Sequence, residues 1–151
     1  MMLDTLQALN LYRTVADAYP GTEYGDQARY QLALYYRAVR MPDSARTELA
    51  TLVRTSPSAM IRANALFDMG DLYSRQRMWT EAVEAFEHVR NVYAGYEDWY
   101  TLSMIGLGSA YEQLGDVTAA RNAYTVVAQL RPNDDYGKTA LARLKRLEKQ
   151  K

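Results

Sequence analysis

The sequence predicts an all-α fold of about eight helices, arranged as antiparallel hairpins in a single domain. Apolar residues recur at spacings of three and four along the chain, which is the period of an amphipathic helix and not of a strand. Ala and Leu are abundant, whereas Ile occurs only at positions 61 and 105. The four prolines, at positions 20, 42, 57 and 132, stand where they would start or separate helices.

A four-residue motif occurs three times, at shifts of 37 and 38 residues. It has a small residue, an aromatic, a second small residue and a large residue, always with the same gaps. The copies are Ala33, Tyr36, Ala45 and Leu49; Gly70, Tyr73, Ala82 and Phe86; and Gly108, Tyr111, Ala120 and Tyr124. Each copy predicts a hairpin of a helix A and a helix B, because small side chains let two helices approach closely.

Half a repeat stands at each end of the chain. The first half has the spacing of a helix B, and the last has the spacing of the start of a helix A. The first half contains Ala8, Tyr12, Val15 and Pro20, which match Ala45, Leu49, Leu52 and Pro57 of the first full repeat. The last half contains Tyr136-Gly137, Ala140 and Leu144, which match Tyr24-Gly25, Ala28 and Leu32. The predicted division of residues 1–151 is a half repeat at 4–20, repeats at 22–57, 58–94 and 96–132, and a capping helix at 134–149.

Helix-breaking residues mark two of the three predicted turns within hairpins. Pro42 suits the first position of a helix, and Gly115 followed by Asp116 suits a helix end and an N-cap. The turn at 77–80 has neither Gly nor Pro and is the least typical.

The composition excludes several classes of function. Lys and Arg total 18 and Asp and Glu total 18, so net charge gives no argument for nucleic acid or an anionic membrane. There is no Cys and one His, His88, which lies two residues past a core position and is expected at the surface. Gly106-Leu107-Gly108 lacks the third glycine of a dinucleotide-binding loop. The sequence therefore predicts no catalytic residue, no metal site, no cofactor and no membrane insertion.

The repeat resembles the tetratricopeptide repeat, and the likeness extends over essentially the whole chain. The clearest copy contains Met104, Leu107-Gly108, Tyr111, Gly115-Asp116, Ala120, Tyr124, Val127 and Pro132. The resemblance implies a right-handed α-solenoid that binds protein or peptide and is not an enzyme.

The period is longer than the family's usual length of about 34 residues. Long repeats with junctions such as Ala18-Tyr19-Pro20 are similar to those of bacterial cell-envelope proteins, which leaves the periplasm, the cell envelope and the cytoplasm open as locations.

In this family the A helices line a concave groove that holds a peptide. The resemblance implies partner-binding residues at Tyr30, Arg37, Phe67, Asp71, Arg75, Ile105, Ser109, Glu112 and Arg143. The alternative is that these side chains only cover neighbouring repeats. A further aromatic group is either a partner anchor or packing at an irregular junction: Tyr93, Tyr96, Trp99 and Tyr100.

The two ends of the chain carry separate expectations. A helix B at 4–18 without its helix A would be half covered, so we expect a piece of a longer array, with self-association through this open end; the alternative is a natural cap. Residues 138–151 hold six basic residues and one acidic residue, a net charge of +5, which leaves −5 for residues 1–137. We interpret this segment, which includes Lys145 and Lys151, as a polar cap, with a basic patch for an acidic partner as the alternative.

Overall fold

The structure, a computed structural model, describes residues 2–149, with side chains from Leu6 onward, so that Lys151 lies outside the described residues. It has eight helices and, within that range, no strand, which confirms the predicted all-α class. The helices are α1 (Met2–Ala18), α2 (Glu23–Ala38), α3 (Pro42–Thr55), α4 (Ala59–Arg75), α5 (Trp79–Val92), α6 (Glu97–Leu114), α7 (Val117–Leu130) and α8 (Asp135–Glu148).

The chain contains two compact units, Met1–Met69 and Gly70–Lys151, and the boundary lies within α4. In the first unit α2 packs against α1 and α3. In the second, α6 packs against α5 and α7, and α7 against α8. The division into one half repeat, three repeats and a cap within a single solenoid stays a prediction.

The three turns within hairpins share one geometry. Arg40, Arg77 and Gly115 occupy equivalent places and all have left-handed backbone, with φ of 59°, 60° and 80°. In each case the next residue donates its N–H to the carbonyl of the motif tyrosine, over 2.8–3.0 Å for Tyr36, Tyr73 and Tyr111. Only the last copy has the glycine that this conformation favours. The turn at Arg77 therefore forms without either residue expected of it.

The second and third hairpins close where an aromatic ring lies on a glycine. A Cβ placed on Gly70 would lie 2.4 Å from the Phe86 ring, and one on Gly108 would lie 2.4 Å from the Tyr124 ring. Gly106 contacts the other side of Phe86, where a Cβ would lie 2.6 Å from the ring. The alanines of the B helices, Ala45, Ala82 and Ala120, are fully buried. Both small positions of the motif therefore have the close-packing role that the sequence predicts.

The first hairpin differs from the other two in its core, because it contains a buried ion pair. Arg29 donates to Glu48 over 2.8 Å, and both side chains are buried. Arg29 also donates to the carbonyl of Ala16 over 2.9 Å and to Asp17 over 3.1 Å, while Arg13 donates to the second oxygen of Glu48 over 2.6 Å. These bonds join α1 to α2 and α3.

The equivalent positions in the later hairpins are apolar. They hold Leu66 with Ala85, and Met104 with Ala123, and all four are buried. The arginine and glutamate of the first hairpin thus replace a large and a small apolar residue. The periodic pattern did not predict this exchange.

We expect Glu48→Ala to lower the free energy of unfolding by about 3–5 kcal/mol, because it leaves the Arg29 guanidinium buried without its main partner. The double change Arg29→Leu with Glu48→Ala creates the pair found in the second hairpin, and should restore stability to within about 1 kcal/mol of the original chain. Urea unfolding at neutral pH measures both. A double variant as unstable as the single one would contradict this account.

Candidate partner-binding surfaces

A buried carboxylate links two of the predicted site residues. Tyr30 and Arg37 lie two turns apart on α2 and both reach Asp68 of α4. The Tyr30 hydroxyl donates to Asp68 Oδ2 over 2.7 Å, and Arg37 Nη1 donates to Asp68 Oδ1 over 3.4 Å. Asp68 is buried, Tyr30 is half-buried and Arg37 is exposed. Tyr30, Arg37 and Asp68 form what we term the Asp68 cluster, which fixes the orientation of two side chains at the surface.

The environment of Tyr30 disfavours its ionised form. Burial, together with the hydrogen bond to the Asp68 carboxylate, raises the pKa of Tyr30 from 10.0 to about 12. Tyr111, which donates to Glu87 over 2.8 Å, has a pKa raised to about 12 for the same two reasons. Both hydroxyls therefore act as hydrogen-bond donors across the physiological range.

Asp71 and Arg75 pair with each other on α4. Arg75 Nε donates to Asp71 Oδ2 over 2.8 Å, one helical turn apart, and this bond raises the pKa of Arg75 above its ordinary value. Arg75 remains largely exposed. Phe67, one turn before Asp71 on the same helix, is half-buried.

Glu112 of α6 gathers three groups from α7 and α8, which together form the Glu112 cluster. Its carboxylate accepts a hydrogen bond from the Tyr124 hydroxyl over 2.6 Å and a second from Arg146, and Arg143 lies 3.7 Å away. Burial and the bond to Glu112 raise the pKa of Tyr124 well above its ordinary range.

Two further predicted residues, Ile105 and Ser109, are half-buried on α6. The structure thus brings Glu112 and Arg143 together, and it also pairs Glu112 with Tyr124 and Arg146.

The second aromatic group is mixed in its exposure. Tyr93 is buried, stacks on His88 with ring centroids 6.0 Å apart, and lies 6.4 Å from the Tyr96 ring. His88 is exposed, as predicted. Tyr96 is exposed, whereas Trp99 and Tyr100 are half-buried. Tyr93 therefore behaves as a packing residue, and Tyr96 is the member most available to a partner.

The first unit contains a cavity that sequence reasoning did not identify. It has a volume of about 460 Å³ and is lined by residues of α1, α2 and α4. Its wall is mostly apolar, with Leu11, Tyr12 and Val15 from α1 and Ile61 from α4. The only sign of it in the sequence was the expectation that the first helix would be half covered.

The described residues contain neither a cluster of metal ligands nor a helix that could span a membrane. Between residues 2 and 149 there is no cluster of three His, Asp or Glu side chains suited to a metal ion. Over the same range, the helices lack the combination of length and hydropathy needed to span a bilayer.

Comparison with known protein families identifies a match to a repeat family. The model of the tetratricopeptide repeat matches residues 60–133, just under half of the chain, which covers α4 to α7. The match supports the tetratricopeptide repeat family, whose repeats are generally non-catalytic modules of protein–protein interaction. The long-period variant and the likeness to cell-envelope proteins stay predictions. None of the curated proteins matches the chain.

The Asp68 cluster predicts a loss of stability in strong alkali. The unfolded chain releases the Tyr30 proton at the ordinary pKa of about 10, while the folded chain holds it until about pH 12. The stabilisation is complete below pH 10 and disappears as the pH rises through 12. Tyrosinate absorbance of the chain minus that of Tyr30→Phe should titrate near 12, and Asp68→Asn should move this titration downward. A difference titration near 10 in the original chain would contradict the cluster.

Proposed function

We propose, from the tetratricopeptide repeat match over residues 60–133, that the chain is a non-catalytic module that binds a protein or peptide through its A helices α2, α4 and α6, with a contribution from α8. We term the proposed contact region the A-helix surface. Its residues are Tyr30, Arg37, Phe67, Asp71, Arg75, Ile105, Ser109, Glu112 and Arg143.

One observation carries this proposal. Tyr30, Phe67 and Ile105 occupy the same position in three successive repeats, and each is a large side chain left half-buried. The contacts that close the hairpins lie elsewhere on these helices, at Gly70 and Gly108. A large side chain that recurs at one position of successive repeats and stays half-buried is suited to anchor a partner, since aromatic and aliphatic anchors dominate binding energy.

The charged residues of the A-helix surface limit the class of partner. Arg37 is paired with Asp68, Arg75 with Asp71, and Arg143 with Glu112. Since each charge already has an opposite charge beside it, a strongly charged ligand would gain little. We therefore propose a partner that inserts apolar side chains and makes polar contacts around them, without a high net charge. Side chains held by such pairs also lose less conformational freedom on binding.

A second candidate function is a structural segment within a longer repeat array, including one in a bacterial envelope complex. The observation that favours it is the exposed apolar surface of α1, where Leu6 and Leu11 are 61% and 63% exposed. In this second candidate function, the chain contributes to the assembly of a larger array and does not capture a ligand.

Selection of a displayed peptide library on the immobilised chain tests the proposed function. Peptides selected by the chain should bind the double variant Phe67→Ala with Arg75→Ala at least about tenfold more weakly, because it removes an anchor and a rim charge. The matched control is Arg54→Ala with Glu84→Ala, two exposed residues of B helices, which should leave affinity unchanged.

Two outcomes would count against the proposed function. One is equal affinity for the original chain and for a double variant whose helicity is intact by circular dichroism. The other is a selection that yields no peptide. If the double variant loses its helicity, the single variant Arg75→Glu, at a largely exposed side chain, replaces it in the comparison.

A further inference from the structure

We propose that the Asp68 cluster binds the main chain of the partner peptide at one residue. The Tyr30 oxygen accepts a hydrogen bond from the N–H of that residue, and Arg37 donates to its C=O. The partner is an extended segment at this point, because a residue in a strand directs both groups to the same side. This inference rests on the proposed function, and it names the chemistry that the A-helix surface recognises in the first unit.

The Tyr30 hydroxyl has its proton engaged, whereas its oxygen can still accept. The hydroxyl donates to Asp68 Oδ2 over 2.7 Å, and Asn64 Oδ1 lies 3.5 Å away, beyond the usual length of a hydrogen bond. Burial, together with the bond to Asp68, raises the pKa of Tyr30 to about 12, so the hydroxyl keeps this proton at neutral pH. A phenol that donates its one proton to a carboxylate can only accept from a ligand. The ligand must therefore supply a donor at this point.

Arg37 supplies donors beside that acceptor. Its Nη1 donates to Asp68 Oδ1 over 3.4 Å, and within the described residues its side chain makes no other hydrogen bond. The side chain is 40% exposed, so its remaining N–H groups can reach a ligand. Tyr30 and Arg37 bond the two oxygens of one carboxylate, which places an acceptor and a donor next to each other. The N–H and C=O of a peptide residue are complementary to this pair.

The charge of the Asp68 cluster favours an uncharged ligand group. Arg37 and Asp68 carry opposite charges and pair with each other, so the cluster has no net charge. A ligand carboxylate would be repelled by Asp68 and a ligand ammonium by Arg37, whereas a peptide group meets neither repulsion. A neutral amide also costs less to desolvate than an ion. The main chain of the partner offers such amides at every residue except proline, which lacks the N–H.

The partial exposure of Tyr30 belongs to its position in the repeat. The equivalent residues, Phe67 and Ile105, are also half-buried, although hairpin helices precede and follow both of them in the chain. A phenyl ring and an aliphatic side chain have no oxygen that could accept a hydrogen bond. The main-chain contact is therefore specific to the first of the three equivalent positions, and it would fix where the peptide lies along the A-helix surface.

A peptide selected from the displayed library serves as the probe, and each of its N–H groups is replaced in turn by an ester oxygen. Each replacement removes one donor and keeps every side chain. Fluorescence polarisation with the full chain should identify one position at which the ester weakens binding about three- to tenfold. The same ester should cause no further loss with Tyr30→Phe, because the acceptor is already absent. Arg37→Met should weaken binding of the unmodified peptide by a similar factor.

The matched control is Tyr111→Phe. Tyr111 also donates its hydroxyl to a carboxylate, that of Glu87, over 2.8 Å, but it does not belong to the A-helix surface. The ester effect should persist in this variant. Circular dichroism verifies that each variant is folded. Should Tyr30→Phe lose its helicity, Tyr30→Ile, which copies the residue at the equivalent position 105, replaces it.

Two results would overturn the inference and leave the proposed function intact. One is a bound peptide with no ester position whose effect disappears in a folded Tyr30→Phe chain, as would happen if an Asn or Gln side chain made the contact. The other is unchanged affinity in a folded Arg37→Met chain. A selection that yields no peptide would instead overturn the proposed function, and this inference with it.

Discussion

The contact between an aromatic ring and a residue without a side chain determines how closely the helices of each later hairpin approach. Phe86 lies against Gly70 and Gly106, and Tyr124 lies against Gly108, at separations that exclude a Cβ. Helices that approach this closely bury the small residues of the B helix completely. On the A helices of these two hairpins, Phe67 and Ile105 remain half-buried.

The first hairpin shows that this arrangement tolerates a change in the chemistry of its core. Arg29 and Glu48 replace the Leu66 and Ala85 of the second hairpin, and their hydrogen bonds reach α1 through Asp17 and the carbonyl of Ala16. A buried ion pair stabilises little in itself, because desolvation offsets the attraction. Its effect here is to hold α1 in one orientation on α2. The cavity of the first unit lies beside this contact and is lined by residues of α1, α2 and α4.

Much of the fold could be predicted from the sequence, because the spacing of the repeated motif indicates where the helices and the turns between them lie. The all-α class and the number of helices followed from periodicity and from the position of Pro42 and Gly115. The repeat spacing also placed a turn at 77–80, but the left-handed backbone of Arg77 could not be predicted, since no favourable residue stands there. Residues of the candidate site could be placed on their helices but not paired. The bonds of Asp68 and Glu112 join residues up to 38 positions apart, and depend on side-chain orientations that no local pattern specifies.

The central claim is that the ring-on-glycine contact closes the hairpin, and a double-mutant cycle on Gly108 and Tyr124 tests it most directly. Gly108→Ala should lower the free energy of unfolding by about 1–3 kcal/mol, because its Cβ overlaps the ring, despite the better helix propensity of alanine. With Tyr124→Ala already present, the same change should be neutral or stabilising. An equal cost in both backgrounds would contradict the account.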